Sequence, residues 1–279
     1  MGVENNKMRK TIFITGASSG IGKMTAYYFA QKGWNVAATM RNIEKGNDLL
    51  SLENVSLFEL DVVDQKSIDK AVGAAIDKFG RIDVLLNNAG ACVVGPFEAM
   101  TNEQIENQFN VNIFGVMKVT KAILSHFREN KKGLILNTSS FGGLLAFPLF
   151  TSYIATKWAL EGFMESLQYE LRPFNIFIKT LQPGPVKTGF DHTMPFVTND
   201  DYKSYTTVVS AKIRQIFEKS PTAEQVVEKI YQIAERPKSK MRFPIGVQTK
   251  MILTLRKMIP LSWFMFIYRT EFEKGLNKK

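Results

Sequence analysis

The chain has 279 residues, of which 45% are hydrophobic and 22% are charged; this composition excludes a disordered protein and predicts one large domain with a substantial core. A single cysteine, Cys92, excludes an internal disulfide framework, and two histidines far apart in the chain, His126 and His192, predict no metal site. The formal net charge is +10, and most of it lies in residues 237–279, which hold ten Lys and Arg against two Glu.

Two segments bear on where the protein resides. Residues 1–10 are polar and lack the apolar segment of a secretory signal. The longest apolar run, residues 258–268, has about half the length that a membrane-spanning helix needs. We therefore expect a cytoplasmic protein, either free in solution or bound peripherally to a membrane surface.

Strand-like and helix-like segments alternate along the chain. The apolar, strand-like runs are 11–16, 34–39, 55–60, 82–87, 133–138, 175–181 and 241–247. Amphipathic helical patterns lie near 21–32, 42–52, 65–79, 101–130 and 151–172. This alternation predicts a single α/β domain over residues 1–279, a Rossmann-type, doubly wound parallel sheet of about seven strands with helices on both faces. Ligands bind such sheets at the carboxyl ends of the strands.

An insertion and an extension depart from this alternation. Residues 185–221 follow the sixth strand and include a helical pattern at 208–217. Because the insertion follows the carboxyl end of a strand, we predict that it forms a substrate lid. His192 in the insertion either contacts substrate or is an ordinary solvated loop residue. The chain then ends in a basic, apolar extension at about 248–279.

Three glycines follow the first strand in the sequence TIFITGASSGIG. Gly16, Gly20 and Gly22 let the backbone approach a pyrophosphate at the N-terminus of the next helix. The turn alone is also compatible with a tight strand–helix connection. Its spacing is G-x-x-x-G-x-G, which differs from the usual dinucleotide fingerprint.

The end of the second strand bears on the choice between NAD and NADP. A carboxylate there would accept a hydrogen bond from the ribose 2′-hydroxyl, whereas a cation would pair with a 2′-phosphate. This strand ends in Met40 and Arg41 without a carboxylate. Arg41 is either the partner of a 2′-phosphate or an ordinary surface arginine, and we predict a preference for NADP(H), with NAD(H) as the alternative.

A second group of residues carries proton-transfer chemistry. Tyr153 and Lys157 are four residues apart, so on a helix they share one face. A nearby cation lowers the pKa of a phenol toward the range of a general acid or base. Ser140 ends a strand-like run, where its hydroxyl can hold a carbonyl oxygen, and Asn112 is an amide within a helical pattern.

In combination these segments resemble the short-chain dehydrogenase/reductase family, of the classical type, over residues 10 to about 190. The matching motifs are TGASSGIG (15–22), NNAG (87–90), the region of Asn112, NTSS (137–140), YIATK (153–157) and PGPVKT (183–188). The off-pattern glycine spacing is the one this family uses. The pattern is most similar to members that reduce ketones or oxidise alcohols, including the steroid and retinol dehydrogenase-like branches.

The resemblance implies a role for each matching residue. Tyr153 would be the general acid or base, Lys157 would lower its pKa and hold the nicotinamide ribose, Ser140 would bind the substrate oxygen, and Asn112 would hold a water of a proton relay. The implied phosphate-binding residues are Gly16, Ser18, Ser19, Gly20 and Ile21, with Ser19 and Arg41 at the 2′-phosphate. Asp61 and Val62 would border the adenine, Asn88, Ala89 and Gly90 its ribose, and Pro183, Gly184, Val186 and Thr188 the nicotinamide.

Three apolar, aromatic segments are candidates for the substrate walls: 91–97, 141–150 and 189–196. They favour an apolar carbonyl or alcohol, such as a lipid-, steroid- or retinoid-like molecule, unless they only pack the core or a subunit interface. We thus expect an NADP(H)-dependent oxidoreductase that interconverts a carbonyl and a secondary or primary alcohol by hydride transfer. The alternative is an NADP(H)-binding sensor or scaffold with incidental turnover.

Two partner surfaces are expected besides the substrate. The family resemblance implies a homodimer or homotetramer formed through the long helices at about 101–130 and 151–172. The C-terminal extension has apolar residues at helical spacing, with Pro260 between two short helices. It either covers the domain and pocket or binds a membrane surface peripherally. Nucleic acid is not expected, because basicity without a recognised module is weak evidence.

Overall fold

One sheet of seven parallel strands forms the centre of the protein, whose residues 9–190 and 194–274 we describe from a computed structural model. The strands are β1 (Thr11–Thr15), β2 (Asn35–Met40), β3 (Val55–Glu59), β4 (Val84–Asn87), β5 (Gly133–Thr138), β6 (Ile176–Pro183) and β7 (Arg242–Ile245). Their order is β3-β2-β1-β4-β5-β6-β7, and every neighbouring pair is parallel. The order reverses between β1 and β4, so the predicted doubly wound sheet is confirmed and a crevice opens at the carboxyl ends of these two strands.

Nine α-helices lie among the described residues. They are α1 (Gly20–Gln31), α2 (Gln65–Phe79), α3 (Asn102–Phe109), α4 (Val116–Glu129), α5 (Thr151–Leu171), α6 (Lys203–Glu218), α7 (Glu224–Glu235), α8 (Val247–Met258) and α9 (Leu261–Glu273). Local signals set several ends: Thr101 and Gln104 form a capping box at α3, and Gly80 ends α2 with a φ of 75°.

The core has one apolar layer on each face of the sheet, because successive side chains of a strand point to opposite faces. Ile12 and Ile14 of β1 pack with α1 and α7, whereas Phe13 between them packs with α2, α4 and α5. All five residues of β1 are buried. The prediction of helices on both faces is therefore correct.

Two predicted helices differ from the observed ones. The pattern near 42–52 predicts a helix, but Ile43–Ser51 is a 3₁₀ segment whose first turn is capped by Asn42. The predicted helix over 101–130 is interrupted by a π-helical turn at Asn110–Gly115. The turn brings the backbone of Gly115 against Val62, where a Cβ atom would lie 2.9 Å from Val62 Cγ2.

Candidate active site

The turn between β1 and α1 is built for close backbone contact with an anion. Gly16 has a φ of +69°, and a Cβ atom at this position would lie 2.9 Å from Ala89 Cα. A Cβ at Gly22 would lie 2.3 Å from Gly16 O. Ser19 is the N-cap of α1 without a side-chain hydrogen bond, and the first turn of α1 holds no acidic residue. The free N–H groups of α1 therefore fit the pyrophosphate of a dinucleotide, whose 2′-phosphate would reach the predicted Ser19.

The loop after β4 is tied to this turn through Thr15, a residue that the sequence motifs did not single out. Thr15 Oγ1 accepts hydrogen bonds from Asn88 N (2.9 Å) and Ala89 N (3.1 Å). The Asn88 amide donates to the backbone oxygens of Thr15 and Gly16, both at 3.1 Å. Asn88 thus holds the glycine turn in place, in addition to its predicted position at the ribose.

The end of β2 presents a cation without a competing acid. Arg41 is exposed directly after β2 and forms no ion pair with the described residues. Asp48, on the neighbouring 3₁₀ segment, is held by Lys23 Nζ (2.8 Å) and the Tyr27 hydroxyl (2.6 Å) of α1. These two partners lower the pKa of Asp48. The arrangement leaves Arg41 available for an anionic group.

The remaining predicted cofactor residues follow β3, β4 and β6. Asp61 Oδ1 accepts from Val63 N (3.1 Å), which orders the loop after β3, and Val62 is buried. A Cβ on Gly90 would lie 3.5 Å from Asn112 Oδ1. Strand β6 ends at Pro183, and the loop after it contains Gly184, Val186 and Thr188. Thr188 lies against the start of α1, because a Cβ on Gly20 would be 3.3 Å from Thr188 Cβ.

Helix α5 carries Tyr153 and Lys157 on one face, as their spacing predicts. Lys157 is buried, and its Nζ donates to Thr138 O at 2.9 Å, which ties the helix to the end of β5. The same Nζ lies 5.5 Å from the centroid of the Tyr153 ring. Ser140 Oγ accepts from Gly142 N (3.0 Å), so its own hydrogen is free for another acceptor.

The protonation states in the protein differ from the expected ones. Burial raises the pKa of Tyr153, while a hydrogen bond with Ser140 lowers it to a smaller extent. Lys157 Nζ lies over the ring and donates to Thr138 O, and the implied lowering of the Tyr153 pKa by Lys157 stays a prediction. Burial lowers the pKa of Lys157 to about 8, against the opposing effects of Cys92 and Glu161. Tyr153 therefore holds its proton at neutral pH, the form that a general acid requires.

Asn112 lies in the π-helical turn and connects three elements. Its amide exchanges two hydrogen bonds, each of 2.8 Å, with the N and O atoms of Ala91. Its Nδ2 also donates to Thr156 Oγ1 at 3.0 Å. The side chain thus positions the loop after β4 against α5, and the implied role of Asn112 in a water relay stays a prediction.

A cluster of packed apolar side chains surrounds Tyr153, and we call it the pocket cluster because the predicted substrate walls contribute to it. Its buried members are Cys92, Val94, Leu149, Phe150, Ile154 and Val209, with Phe147, Tyr153, Met194, Tyr205, Ile213 and Phe272 packed against them. All three predicted wall segments contribute, and α6 and α9 add walls that the motifs did not identify. Burial raises the pKa of Cys92 to about 12, so its thiol stays protonated. His192 lies outside the described residues.

The insertion after β6 is attached to the loop after β4. Val94 N donates to Pro195 O and Val197 N donates to Val94 O, both at 2.9 Å. Gly95 has a φ of +151°, and a Cβ there would lie 2.2 Å from Val197 O. The insertion therefore lies over the apolar cluster, while its opening as a lid stays a prediction.

A buried carboxylate, Glu161, also lies behind the site and was missed by the motif reading. It accepts hydrogen bonds from Arg242 Nε (2.9 Å), Gln182 Nε2 (2.8 Å) and Thr180 Oγ1 (3.1 Å). Glu161 is 3% exposed and stands one turn beyond Lys157. Its spacing is the sequence signal that could have identified it: Glu161 lies four residues after Lys157, and so on the same helix face as Tyr153 and Lys157.

Neither a metal centre nor a membrane span is found in the described part of the chain. No group of three or more His, Cys, Asp and Glu side chains within residues 9–190 and 194–274 is arranged to hold a metal ion. His126 instead accepts a hydrogen bond from Ile82 N at 3.0 Å. None of the helices in these residues is long and apolar enough to cross a membrane.

Comparison with known proteins gives a consistent picture. A family model described as short chain dehydrogenase matches residues 10–195. The chain is 36% identical to the uncharacterized oxidoreductase YusZ of Bacillus subtilis over 91% of this chain and 95% of the relative. It is 40% identical to the 3-ketodihydrosphingosine reductase of Bacteroides thetaiotaomicron over 64% of this chain and 65% of the relative.

Solved structures share the fold. A short-chain dehydrogenase from Streptomyces avermitilis superposes with a TM-score of 0.82 at 29% identity, covering 98% of this chain and 100% of that one. The NADP-bound protein ElxO gives 0.71 at 30% identity, covering 85% and 97%. A 3-ketoacyl-(acyl-carrier-protein) reductase of Brucella melitensis with NADH gives 0.73 at 25% identity, covering 84% and 96%.

Proposed function

The chain belongs to the short-chain dehydrogenase/reductase family and is an NAD(P)-dependent oxidoreductase, and from this premise we propose that it reduces an apolar carbonyl compound with NADPH, Tyr153 being the general acid. The observation that carries the proposal is the position of Tyr153. Its ring packs in the apolar pocket cluster, and its hydroxyl lies near enough to Ser140 for that side chain to lower its pKa.

Ser140, Tyr153 and Lys157 would each have a separate role in this reduction. When bound, NADPH supplies the hydride that adds to the carbonyl carbon. Ser140 donates a hydrogen bond to the carbonyl oxygen as negative charge develops there. Tyr153 transfers its proton to the same oxygen, which gives the alcohol. Lys157 uses one N–H on Thr138 and has two left to hold the nicotinamide ribose. In the reverse direction Tyr153 would accept the proton.

The preference for NADP(H) rests on Arg41. This exposed cation follows β2, and the nearby Asp48 is engaged by Lys23 and Tyr27. The carboxylate that would accept from a free ribose 2′-hydroxyl is therefore not available there. NADP is bound by ElxO, which is similar to this chain, while NADH is bound by another similar structure.

The apolar character of the pocket supports a lipid-, steroid- or retinoid-like substrate. Phe141, Phe147, Phe150 and Tyr153 form a chain of ring contacts that leads to the phenol. One similar protein is named a 3-ketodihydrosphingosine reductase.

A homodimer or homotetramer, formed through the exposed faces of α4 and α5, is part of the proposal. The outer face of α5 combines small residues with the exposed rings of Trp158 and Tyr169. Gly162 on this face has open space around it, which allows a second helix to approach. We also place the protein in the cytoplasm, with peripheral membrane contact through the C-terminal extension.

A panel of apolar ketones and their alcohols, assayed with NADPH/NADP and NADH/NAD, tests the reaction. We expect turnover of at least one apolar ketone with NADPH and higher kcat/KM than with NADH. Cofactor binding without hydride transfer to any member of a broad panel would instead support the sensor or scaffold function. Equal or better use of NADH would contradict the cofactor assignment.

A further inference from the structure

The C-terminal helices α8 and α9 each have two different faces. Their inner faces cover the domain: Leu253 and Phe264 are buried, and Phe264, Tyr268 and Phe272 form a ladder of ring contacts. Phe272 packs in the pocket cluster around Tyr153. Lys212 of α6 bonds the carbonyl oxygens of Glu271 (2.5 Å) and Phe272 (3.3 Å). The inner faces therefore fix the orientation of both helices.

The outer faces are apolar and exposed. On α8, Val247, Met251, Leu255 and Met258 recur at helical spacing, and Val247 and Met258 are 83% and 76% exposed. On α9, Trp263, Phe266 and Ile267 form a second group, each more than half exposed. We call these seven residues the C-terminal apolar face. Exposed apolar side chains grouped on adjacent helices mark a site of interaction with a protein or a membrane.

Cations outnumber acids on the two helices that carry the C-terminal apolar face. Lys250, Lys257 and Arg269 are exposed on α8 and α9. The two acidic residues of α9 are engaged locally, since Glu273 lies 3.4 Å from Arg269 and Glu271 lies 2.5 Å from Lys274. Residues 247–274 contain five Lys and Arg against these two Glu, so their formal charge is positive.

This charge distribution discriminates between two occupants of the face. A second copy related by a twofold axis would bring two surfaces of the same net positive charge together, and like charges in an interface are unfavourable. A bilayer with anionic lipids complements both properties, because apolar side chains enter the interface while Lys and Arg meet the headgroups. Trp263 is also of the residue type that is enriched at the level of the headgroups.

We propose that α8 and α9 form a lipid-binding surface that docks on anionic membranes through the C-terminal apolar face. This inference rests on the peripheral contact proposed above and assigns its residues and its lipid class. Because Phe272 on the inner side belongs to the pocket cluster, docking places this cluster near the bilayer. A lipid-soluble carbonyl compound then reaches the pocket from the membrane side.

Co-sedimentation of the full chain with vesicles tests the proposal. In low salt we expect binding to phosphatidylcholine vesicles that contain phosphatidylglycerol, much weaker binding to phosphatidylcholine alone, and loss of binding in high salt. Replacing Trp263, Phe266 and Ile267 together by Ser should lower the partition coefficient by at least about tenfold. Replacing Lys250, Lys257 and Arg269 together by Gln should lower it by about tenfold or more.

A matched control carries the same kind of substitution elsewhere. Leu50→Ser with Phe174→Ser removes two exposed apolar side chains far from α8 and α9 in sequence, and should keep the partition coefficient within about twofold of the parent value. Thermal unfolding of each variant shows whether the fold is kept, since all substituted side chains are exposed.

Several results would overturn the proposal. They are no binding to anionic vesicles, equal binding to neutral vesicles, or unchanged binding of the triple Ser variant. A change of oligomeric state in that variant, with no vesicle binding by the parent protein, would show that a second copy covers the face. NADPH oxidation with a water-soluble ketone is measured separately, so failure of the lipid surface and failure of the proposed reaction are distinguishable.

Discussion

Glu161 lies one helical turn beyond Lys157 and holds Arg242 of β7 with an Nε–Oε2 distance of 2.9 Å. The carboxylate thereby links the helix of the catalytic residues to the last strand of the sheet, and its charge favours the protonated form of Lys157. The charged and titratable groups with a described influence on Lys157 are Cys92 and Glu161, while Arg242 faces Glu161.

Glu161→Gln should therefore shift the pH dependence of the reaction. Removing the negative charge lowers the pKa of Lys157 further below about 8, so the limb of the kcat/KM profile that needs protonated Lys157 moves to lower pH. The free energy of unfolding should fall by about 1–3 kcal/mol, because Arg242 loses its buried partner. Glu165→Gln is the control, since this exposed carboxylate binds the same arginine. An unchanged limb, or the same shift in the control, would contradict the role.

Lys157→Met should change the pH dependence of stability. The folded-state pKa of about 8 lies below the ordinary value of 10.5, so the folded protein binds fewer protons between these two pH values. The contribution of Lys157 to stability therefore increases as the pH rises through this window, and its burial is unfavourable below it. We expect the variant to be more stable than the parent at pH 7, by about 1–3 kcal/mol, and the difference to shrink toward pH 10.5.

Denaturant unfolding of both proteins across this pH range measures the difference directly. Comparing the two removes the contribution of Tyr153, whose raised pKa acts in the opposite direction at alkaline pH. A constant difference between pH 7 and 10.5 would show that Lys157 does not titrate in this range.

Tyr153→Phe should remove the proton donor while keeping the ring in the pocket cluster. We expect kcat for ketone reduction to fall by at least about 100-fold, with little change in NADPH affinity. Tyr205→Phe serves as the matched control, because Tyr205 lies in the same cluster on α6. Turnover of the Tyr153 variant close to that of the parent would remove the mechanism.

Arg41→Ala should separate the two cofactors. The loss of one charge-assisted contact predicts an increase of about tenfold in the Kd of NADPH, whereas the Kd of NADH stays within about twofold. Lys45→Ala, an exposed cation on the neighbouring 3₁₀ segment, is the control. Fluorescence titration of both nucleotides measures the four constants, and an equal loss for NADPH and NADH would show that Arg41 does not read the 2′-phosphate.

The sheet could be predicted because buried parallel strands appear as continuous apolar runs between helical patterns. The runs at 11–16 and 133–138 coincide with β1 and β5 to within one residue. The 3₁₀ segment and the π-helical turn could not be predicted in this way. Segment Ile43–Ser51 has a helical pattern, but its conformation depends on Asn42 and on Asp48 binding α1.

Local spacing also identified the proton-transfer residues, but not the hydrogen bonds that hold them in place. The i, i+4 pattern placed Tyr153 and Lys157 on one face, whereas the bond from Lys157 to Thr138 and the partners of Glu161 join residues distant in sequence. Local periodicity does not specify such pairings. The raised pKa of Tyr153 was missed for the same reason, because burial by α6 and the insertion is a tertiary effect.

Phe272 shows that the pocket cluster draws on a part of the chain far from the proposed acid–base residues. The groups proposed to transfer and hold protons lie between residues 112 and 157, while the walls of the pocket also draw on α6 and on the last helix. Substitutions in these later helices can therefore alter which molecule enters while leaving the acid–base apparatus intact. Related chains can therefore diverge in substrate choice through changes in the later helices, without changes in the acid–base residues.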